Sequence, residues 1–117
     1  MRILTTIQKR NKLNDVYAVD EPGAGGACHK YLIAANGDHL CKIEFQHGPR
    51  KDVNSVHGVL DTDLLEVVRD RLTAFQAGEF ACDENEQALR HIEEALLWMN
   101  LRVENRAERN VLGTNNK

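Results

Sequence analysis

Apolar positions change their spacing about halfway along the chain. Up to residue 58 they fall in short, strand-length runs: Ile3 to Ile7, Val16 to Val19, Cys28 to Ala35 and His39 to Gln46. In the last run Leu40, Lys42, Glu44 and Gln46 alternate with Cys41, Ile43 and Phe45. A period of two predicts a strand with one buried face. Asn36-Gly37, between the last two runs, is a hairpin signal, because a two-residue turn of the favoured type needs positive φ at both positions. Polar QKRNKLND follows the first run, and EPGAGGA, with Pro22 and glycines at 23, 25 and 26, reads as a loop. A second polar stretch, QHGPRKDVNSVHG at 46–58, is too long for a simple connection. Loops of that length inside compact domains often carry function.

From residue 59 the period becomes 3.6. Leu64, Leu65, Val68, Leu72 and Phe75 share one face of a helix expected to be capped by Asp61 or Thr62 and to stop at Gly78. A second, longer helix starts at Asp83, where Asp83 and Glu86 resemble a capping box, and runs to about Asn110. Ala88, Leu89, Ile92, Leu96, Met99, Val103 and Ala107 form its core stripe. The short link AGEFACD makes the two helices antiparallel neighbours. The expected fold is therefore α+β: a small N-terminal antiparallel sheet with its hairpin at Asn36-Gly37, then an antiparallel helix pair. One domain covers 1–117, with sheet and loops over 1–58, the helical hairpin over 59–112 and a tail over 113–117.

Composition narrows the possible partners. The 117 residues carry a formal charge of −3, which argues against a binder of DNA or RNA polymers, usually basic. The sign reverses locally. From Trp98 onward Arg102, Arg106, Arg109 and Lys117 face only Glu104 and Glu108. Any anion site is thus a focused pocket. No stretch approaches the roughly 18 apolar residues of a membrane span, and Arg2 and the polar run break any leader-like segment. Cys28, Cys41 and Cys82 form no CxxC pair and are expected to be reduced, buried as small apolar groups in a cytoplasmic protein.

Two regions carry candidate chemistry. On the second helix a separate sector holds His91, Trp98, Arg102, Asn105, Arg106 and Arg109. Arginines at that spacing repel one another unless an anion lies among them, and Trp98 one turn earlier offers a flat surface for a base. The combination suits a nucleotide with phosphates and an adenine; a solvated face with Glu104 and Glu108 interleaved is the plainer alternative. In the 46–58 loop, Gly48-Pro49 fix a turn, Arg50 and Lys51 project cations, and Asn54 and Ser55 add neutral donors, a composition that an ordinary exposed loop shares. Leu97 and Leu101 sit on a third sector, either as an ordinary pair of exposed leucines or as a surface for self-association.

Other chemistries find less support. Gly23-Ala24-Gly25-Gly26 precedes a strand, whereas a phosphate loop opens a helix. His29, His39, His47, His57 and His91 show no i, i+4 pair, so no metal or cofactor is expected; His57 with Asp61, and His47 with Cys41, are the nearest approaches. Ser55 is the sole serine, and the acids lie on solvated helix faces, Glu93-Glu94 the plainest. A non-enzymatic binder is expected.

FQHGPR at 45–50, HGVLDTDLLEVVRDRLTAFQAGEFACDEN at 57–85 and HIEEALLWMNLRVENRAERNVLGT at 91–114 together resemble the first family of phage Thoeris anti-defence proteins. The final segment is also similar to the helical hairpin of phage anti-CBASS sponges. The resemblance spans nearly the whole chain and is densest in the helical half. It implies a sponge in the host bacterial cytoplasm that sequesters cyclised ADP-ribose isomers made by TIR enzymes, without cleaving them. It also implies a homo-oligomer built from dimers and reaching hexamers, with pockets between subunits and, in some members, a separate site for cyclic di- or trinucleotides. Matching motifs put Arg102, Arg106, Arg109, Gly113 and Thr114 in the site, with Arg50, Gln46, Phe80, Trp98 and Asn105 beside them; Asn85 and Arg90 are further options. The alternatives are an inhibitor that binds a defence protein directly and a cyclic-nucleotide phosphodiesterase.

Overall fold

The computed structural model describes residues 1–8 and 10–108. It is α+β, with strands β1 (Arg2–Ile3), β2 (Asp15–Ala18), β3 (Lys30–Ala35) and β4 (Asp38–Glu44), then helices α1 (Asp61–Gln76) and α2 (Asp83–Glu108). The chain divides into two compact units, the first Met1–Val59 and the second beginning at Leu60.

The first unit is an antiparallel meander in the order β1-β2-β3-β4. Asn36 and Gly37 both take positive φ, 49° and 87°, the conformation that the Asn-Gly signal calls for in a tight hairpin. The strands are shorter than the apolar runs. Of Ile3 to Ile7 only Ile3 lies in β1, because pairing is confined to Arg2↔Ala18 and Ile3↔Tyr17. The second run is displaced to 15–18, and the two hairpin arms lose their outer residues. Ala18, Cys28, Leu32 and Ala34 are the buried apolar side chains. The expected buried face of the second arm is present in part: Ile43 and Phe45 are half-buried, with Phe45 edge-on to Tyr31, whereas Cys41 is exposed. The register also slips, Ile33↔Cys41 being followed by Ala34↔His39, so Leu40 is an extra residue in a bulge and is exposed.

The segment entering β3 is fixed by one carboxylate. Asp20 accepts the main-chain N–H of His29 at 3.0 and 3.1 Å and that of Lys30 at 3.0 Å. Burial pushes its pKa up, but those N–H bonds, and the charge of His29, outweigh it and hold the carboxyl below its ordinary value. A carboxylate with a lowered folded pKa stabilises above its unfolded value, and that stability is lost as pH falls through the folded one. Asp20→Ala should therefore lower the thermal midpoint at neutral pH, with the gap from the parent closing as pH drops below about 3.8, followed by circular dichroism.

In the second unit α1 and α2 pack side by side, antiparallel. Both caps differ from expectation. Leu60, not Asp61 or Thr62, is the N-cap of α1, and its N–H donates to Asp63 at 2.9 Å. α2 is preceded by Cys82, whose Sγ accepts the Asn85 N–H at 3.4 Å while its own N–H donates to Gln76 Oε1 at 3.0 Å, so a one-way cap at Cys82 replaces the expected Asp83–Glu86 box. Asp83, Glu84 and Glu86 still complement the positive end of the helix. α1 ends at Gln76, with Ala77 rather than Gly78 as its C-cap. The end of α2 expected near Asn110 lies outside the described residues.

Leu64, Leu65, Leu72, Leu89, Ile92, Ala95, Leu96 and Met99 are half-buried, and no residue of either helix is fully buried. Val68 and Phe75, which carries Arg71 over its ring at 5.4 Å, lie partly open, as do Ala88, Val103 and Ala107 from the predicted stripe. Two helices share one contact line, too narrow to cover a stripe of that width. Glu93 departs from the predicted solvated face: it is half-buried and accepts Arg69 Nε at 2.8 Å across the helices, while Glu66 flanks Arg69 at 3.5 Å. Cys28 is buried as expected, but Cys41 and Cys82 are exposed, one on an edge strand and the other at a cap. No described helix is long and apolar enough to cross a membrane. Ile92→Ala or Leu96→Ala should cost about 2 kcal/mol, the low end for deleting such a side chain because each is only half-buried in one copy, measured by urea denaturation. A larger loss would mean that further contacts cover the seam in solution.

Candidate functional site

The 46–58 loop is built around one side chain. After β4 the main chain continues in two isolated bridges, Phe45↔Val59 and His47↔Val56, which return the loop to its starting point. Gln46 N–H donates to Val59 O at 2.9 Å and Val59 N–H to Glu44 O at 3.0 Å. That closeness is why residue 58 is glycine: a Cβ there would lie 2.6 Å from the Phe45 carbonyl carbon and clash with Glu44 O. Gln46 then fills the interior. Its Nε2 donates to Gly48 O at 3.0 Å and Ser55 Oγ at 3.4 Å; its Oε1 accepts Arg50 Nε at 2.7 Å and Gly58 N–H at 3.3 Å. Arg50 also donates from an Nη to Gly58 O at 3.2 Å. Asp52 tightens the tip by accepting Asn54 N–H, while Ser55 Oγ donates to Asp52 O.

Gln46 and Arg50 therefore come together, but through bonds to each other and to the loop. Gln46 is a framework residue. Arg50 is exposed and commits two of its five N–H groups, leaving the outer part of the guanidinium toward solvent. Gln46→Ala removes four hydrogen bonds and should cost about 1–3 kcal/mol in a urea titration, more than Arg50→Ala, whose loss leaves the Gln46 bonds to Gly48, Ser55 and Gly58 in place.

In the helical unit, Trp98, Arg102, Asn105 and Arg106 lie on the last described turns of α2. Trp98 is 66% exposed, Arg102 and Asn105 are exposed, and Arg106 is half-buried. Leu97, 71% exposed, and Leu101 flank them as an open apolar strip. Arg109, Gly113 and Thr114 lie outside the described residues. Phe80, 69% exposed, is on the link between the helices. It sits at the opposite end of α2, since Arg102 is 19 residues beyond Asp83, about 28 Å along the axis. Along the described helix Phe80 is thus far from Arg102 and Arg106. Arg90 is an exposed position of α2, and the N–H of Asn85 is used in the cap.

A groove of about 700 Å³ between the helices is lined by Asp63, Glu66, Arg69, Glu93, Leu96, Leu97 and neighbouring residues. It holds three carboxylates against one arginine already paired to two of them, the wrong balance for a phosphate. Among the described residues of α2, Arg102, Asn105 and Arg106 do not line it. Among the described residues no group of three or more His, Cys, Asp or Glu is arranged to hold a metal ion. Sequence reasoning missed the Arg69–Glu93 pair and the stacking of His29 on His47, whose partners are distant in sequence and carry no motif.

Residues 37–104, from the hairpin turn through most of α2, match the model of the Acb2/Tad1 hairpin domain. The chain belongs to that family. It is also 39% identical over 95 residues to Thoeris anti-defense 1 of Bacillus phage SBSphiJ7, an alignment covering 81% of this chain and 66% of the relative. The matched span includes Gln46, Arg50, Phe80, Trp98 and Arg102 of this family member. Arg106 lies just beyond it.

Proposed function

We propose that this protein is a phage anti-defence sponge that captures cyclised ADP-ribose isomers made by Thoeris TIR enzymes and keeps them from their effector without cleaving them. It acts in the cytoplasm of the host bacterium. The observation that carries this reading is the α2 sector in which an open Trp98 precedes Arg102, Asn105 and Arg106 by one to two turns. A cyclised ADP-ribose presents a pyrophosphate, riboses and one adenine, for which arginine forks and an aromatic face are the matching tools. The name of the Bacillus phage relative, Thoeris anti-defense 1, supports the same biology.

The protein works as a homo-oligomer, built from dimers and reaching a hexamer. Two features support assembly: Leu97, Trp98 and Leu101 are open apolar positions on α2, and Phe80 is separated from the arginines by the length of a helix. A site using both is completed by a second copy. Capture then needs many modest contacts in a preformed pocket rather than a reactive residue. Arg109, Gly113 and Thr114 complete the anion side, and Arg50 contributes from the 46–58 loop. Cyclic di- or trinucleotides occupy a separate site.

Calorimetric titration with a cyclised ADP-ribose isomer, followed by heat denaturation and chromatography of the released ligand, tests this reading. Tight binding with intact ligand is expected. A degraded product would instead indicate a hydrolase, and absence of binding an inhibitor that docks on a defence protein. Arg102→Ala and Arg106→Ala should each weaken capture by about 1.5–3 kcal/mol while the fold survives. Equal affinity in both variants and the parent would remove the arginine sector from the site.

A further inference from the structure

Two histidines join the segment before β3 to the start of the 46–58 loop. The rings of His29 and His47 stack with centroids 4.2 Å apart and planes 9° from parallel. His29 is only 9% exposed, and its Nδ1 is enclosed with no hydrogen-bond partner. Gly23 closes over the pair: a Cβ there would lie 3.3 Å from His47 Nε2 and 3.5 Å from His29 Nδ1. Main-chain bonds fix both residues. The N–H of His29 donates to Asp20 and its carbonyl accepts Phe45 N–H at 2.8 Å; His47 exchanges bonds with Val56 at 2.9 and 2.8 Å. The stack is thus a side-chain link between the β3 entry and the loop that presents Gln46 and Arg50.

Neutral imidazoles stack as flat rings. A proton on each places two like charges 4.2 Å apart, and the N–H that protonation completes at the enclosed Nδ1 of His29 meets no acceptor. The surrounding charges compensate for only one of these protons. Asp20, beside His29, is an anion and favours the first. Lys30 and Glu44 pair with each other at 3.8 Å across β3 and β4. In the loop, Arg50 is bonded to Gln46 and Gly58, and Asp52 to the Asn54 N–H. The Cys28 thiol donates to Asp20 O at 3.3 Å. Among the described residues no carboxylate of this set is ion-paired with His47, Glu44 being held by Lys30 and Asp52 lying at the loop tip.

We propose that the His29–His47 stack is a proton-sensitive latch: protonation of both rings parts them and loosens the loop that presents Gln46 and Arg50, so ligand capture weakens on acidification. The latched state binds fewer protons than the loosened one, so it is favoured at high pH and lost as pH falls through the histidine range. The link to capture rests on the proposed function, in which this loop contributes to the site.

Amide hydrogen exchange of residues 47–58 in the ligand-free full chain, corrected for the intrinsic pH dependence of exchange, tests the latch. Loop protection should fall about ten-fold between about pH 7.5 and 5.5 in the parent. In His47→Phe, which keeps a flat ring but takes no proton, the change should stay within about two-fold. The same response in parent and variant, or constant protection in the parent, overturns the proposal. Should the variant fail to fold, a ring-nitrogen NMR titration of the parent decides: His29 and His47 must gain protons over the same pH span in which the loop loosens, and separate spans overturn it. Titration with cyclised ADP-ribose at both ends of the range separates the two readings. A loop that loosens while affinity holds preserves the latch and removes Gln46 and Arg50 from the ligand site.

Discussion

Everything in the helical unit follows from one geometric limit: two antiparallel helices share a single line of contact. Leu64, Leu65 and Leu72 meet Leu89, Ile92, Leu96 and Met99 along that line, and none of them becomes fully buried. Burial stabilises in proportion to apolar area removed from water, so a half-covered seam gives the hairpin a modest hydrophobic contribution. Arg69 bridging to Glu93 adds direction to the pairing more than energy, because an exposed ion pair is worth little. The same limit leaves most of the α2 circumference uncommitted. Among the described residues, Trp98, Arg102 and Asn105 lie off that contact line and are exposed.

The sheet unit solves a different problem, how to hold a long polar loop in one conformation. A strand ladder cannot do so, since β4 ends at Glu44 and only two isolated bridges follow. The Gln46 carboxamide replaces the ladder. With two donors and a carbonyl it satisfies Gly48, Ser55, Arg50 and Gly58, and so serves as both acceptor and donor to its own loop. Gly58 makes this possible by omitting the side chain that would collide with Glu44 and Phe45. The same network orients the Arg50 guanidinium through Gln46 and Gly58.

The two regions carry different parts of the candidate site. Arg50 belongs to the sheet unit; Trp98, Arg102, Asn105 and Arg106 belong to α2; Phe80 belongs to the link between the helices. Membership of the Acb2/Tad1 hairpin family spans both, from the Asn36-Gly37 turn region to Glu104.

Local chemistry alone determined a good part of this protein. The Asn36-Gly37 turn was legible because positive φ at two successive residues is costly for most side chains and cheap for these. The helix pair was legible because a 3.6-residue period has one geometric meaning, and the exposed Leu97–Leu101 strip because those residues fall off that period. The long loop was legible as a loop, and Arg50 as a cation within it. Tertiary structure decided the rest. It slipped the β3–β4 register at Leu40, so Cys41 is exposed while Ile43 and Phe45 keep the predicted, partly buried side. It assigned the caps to Leu60 and Cys82, because helix starts depend on which N–H groups are left over once packing is set. It drew Glu93 from the solvated face to Arg69, buried His29 against His47 and turned Gln46 inward. Each of these depends on a partner remote in sequence or on a loop's path in space, and periodicity along a chain records neither.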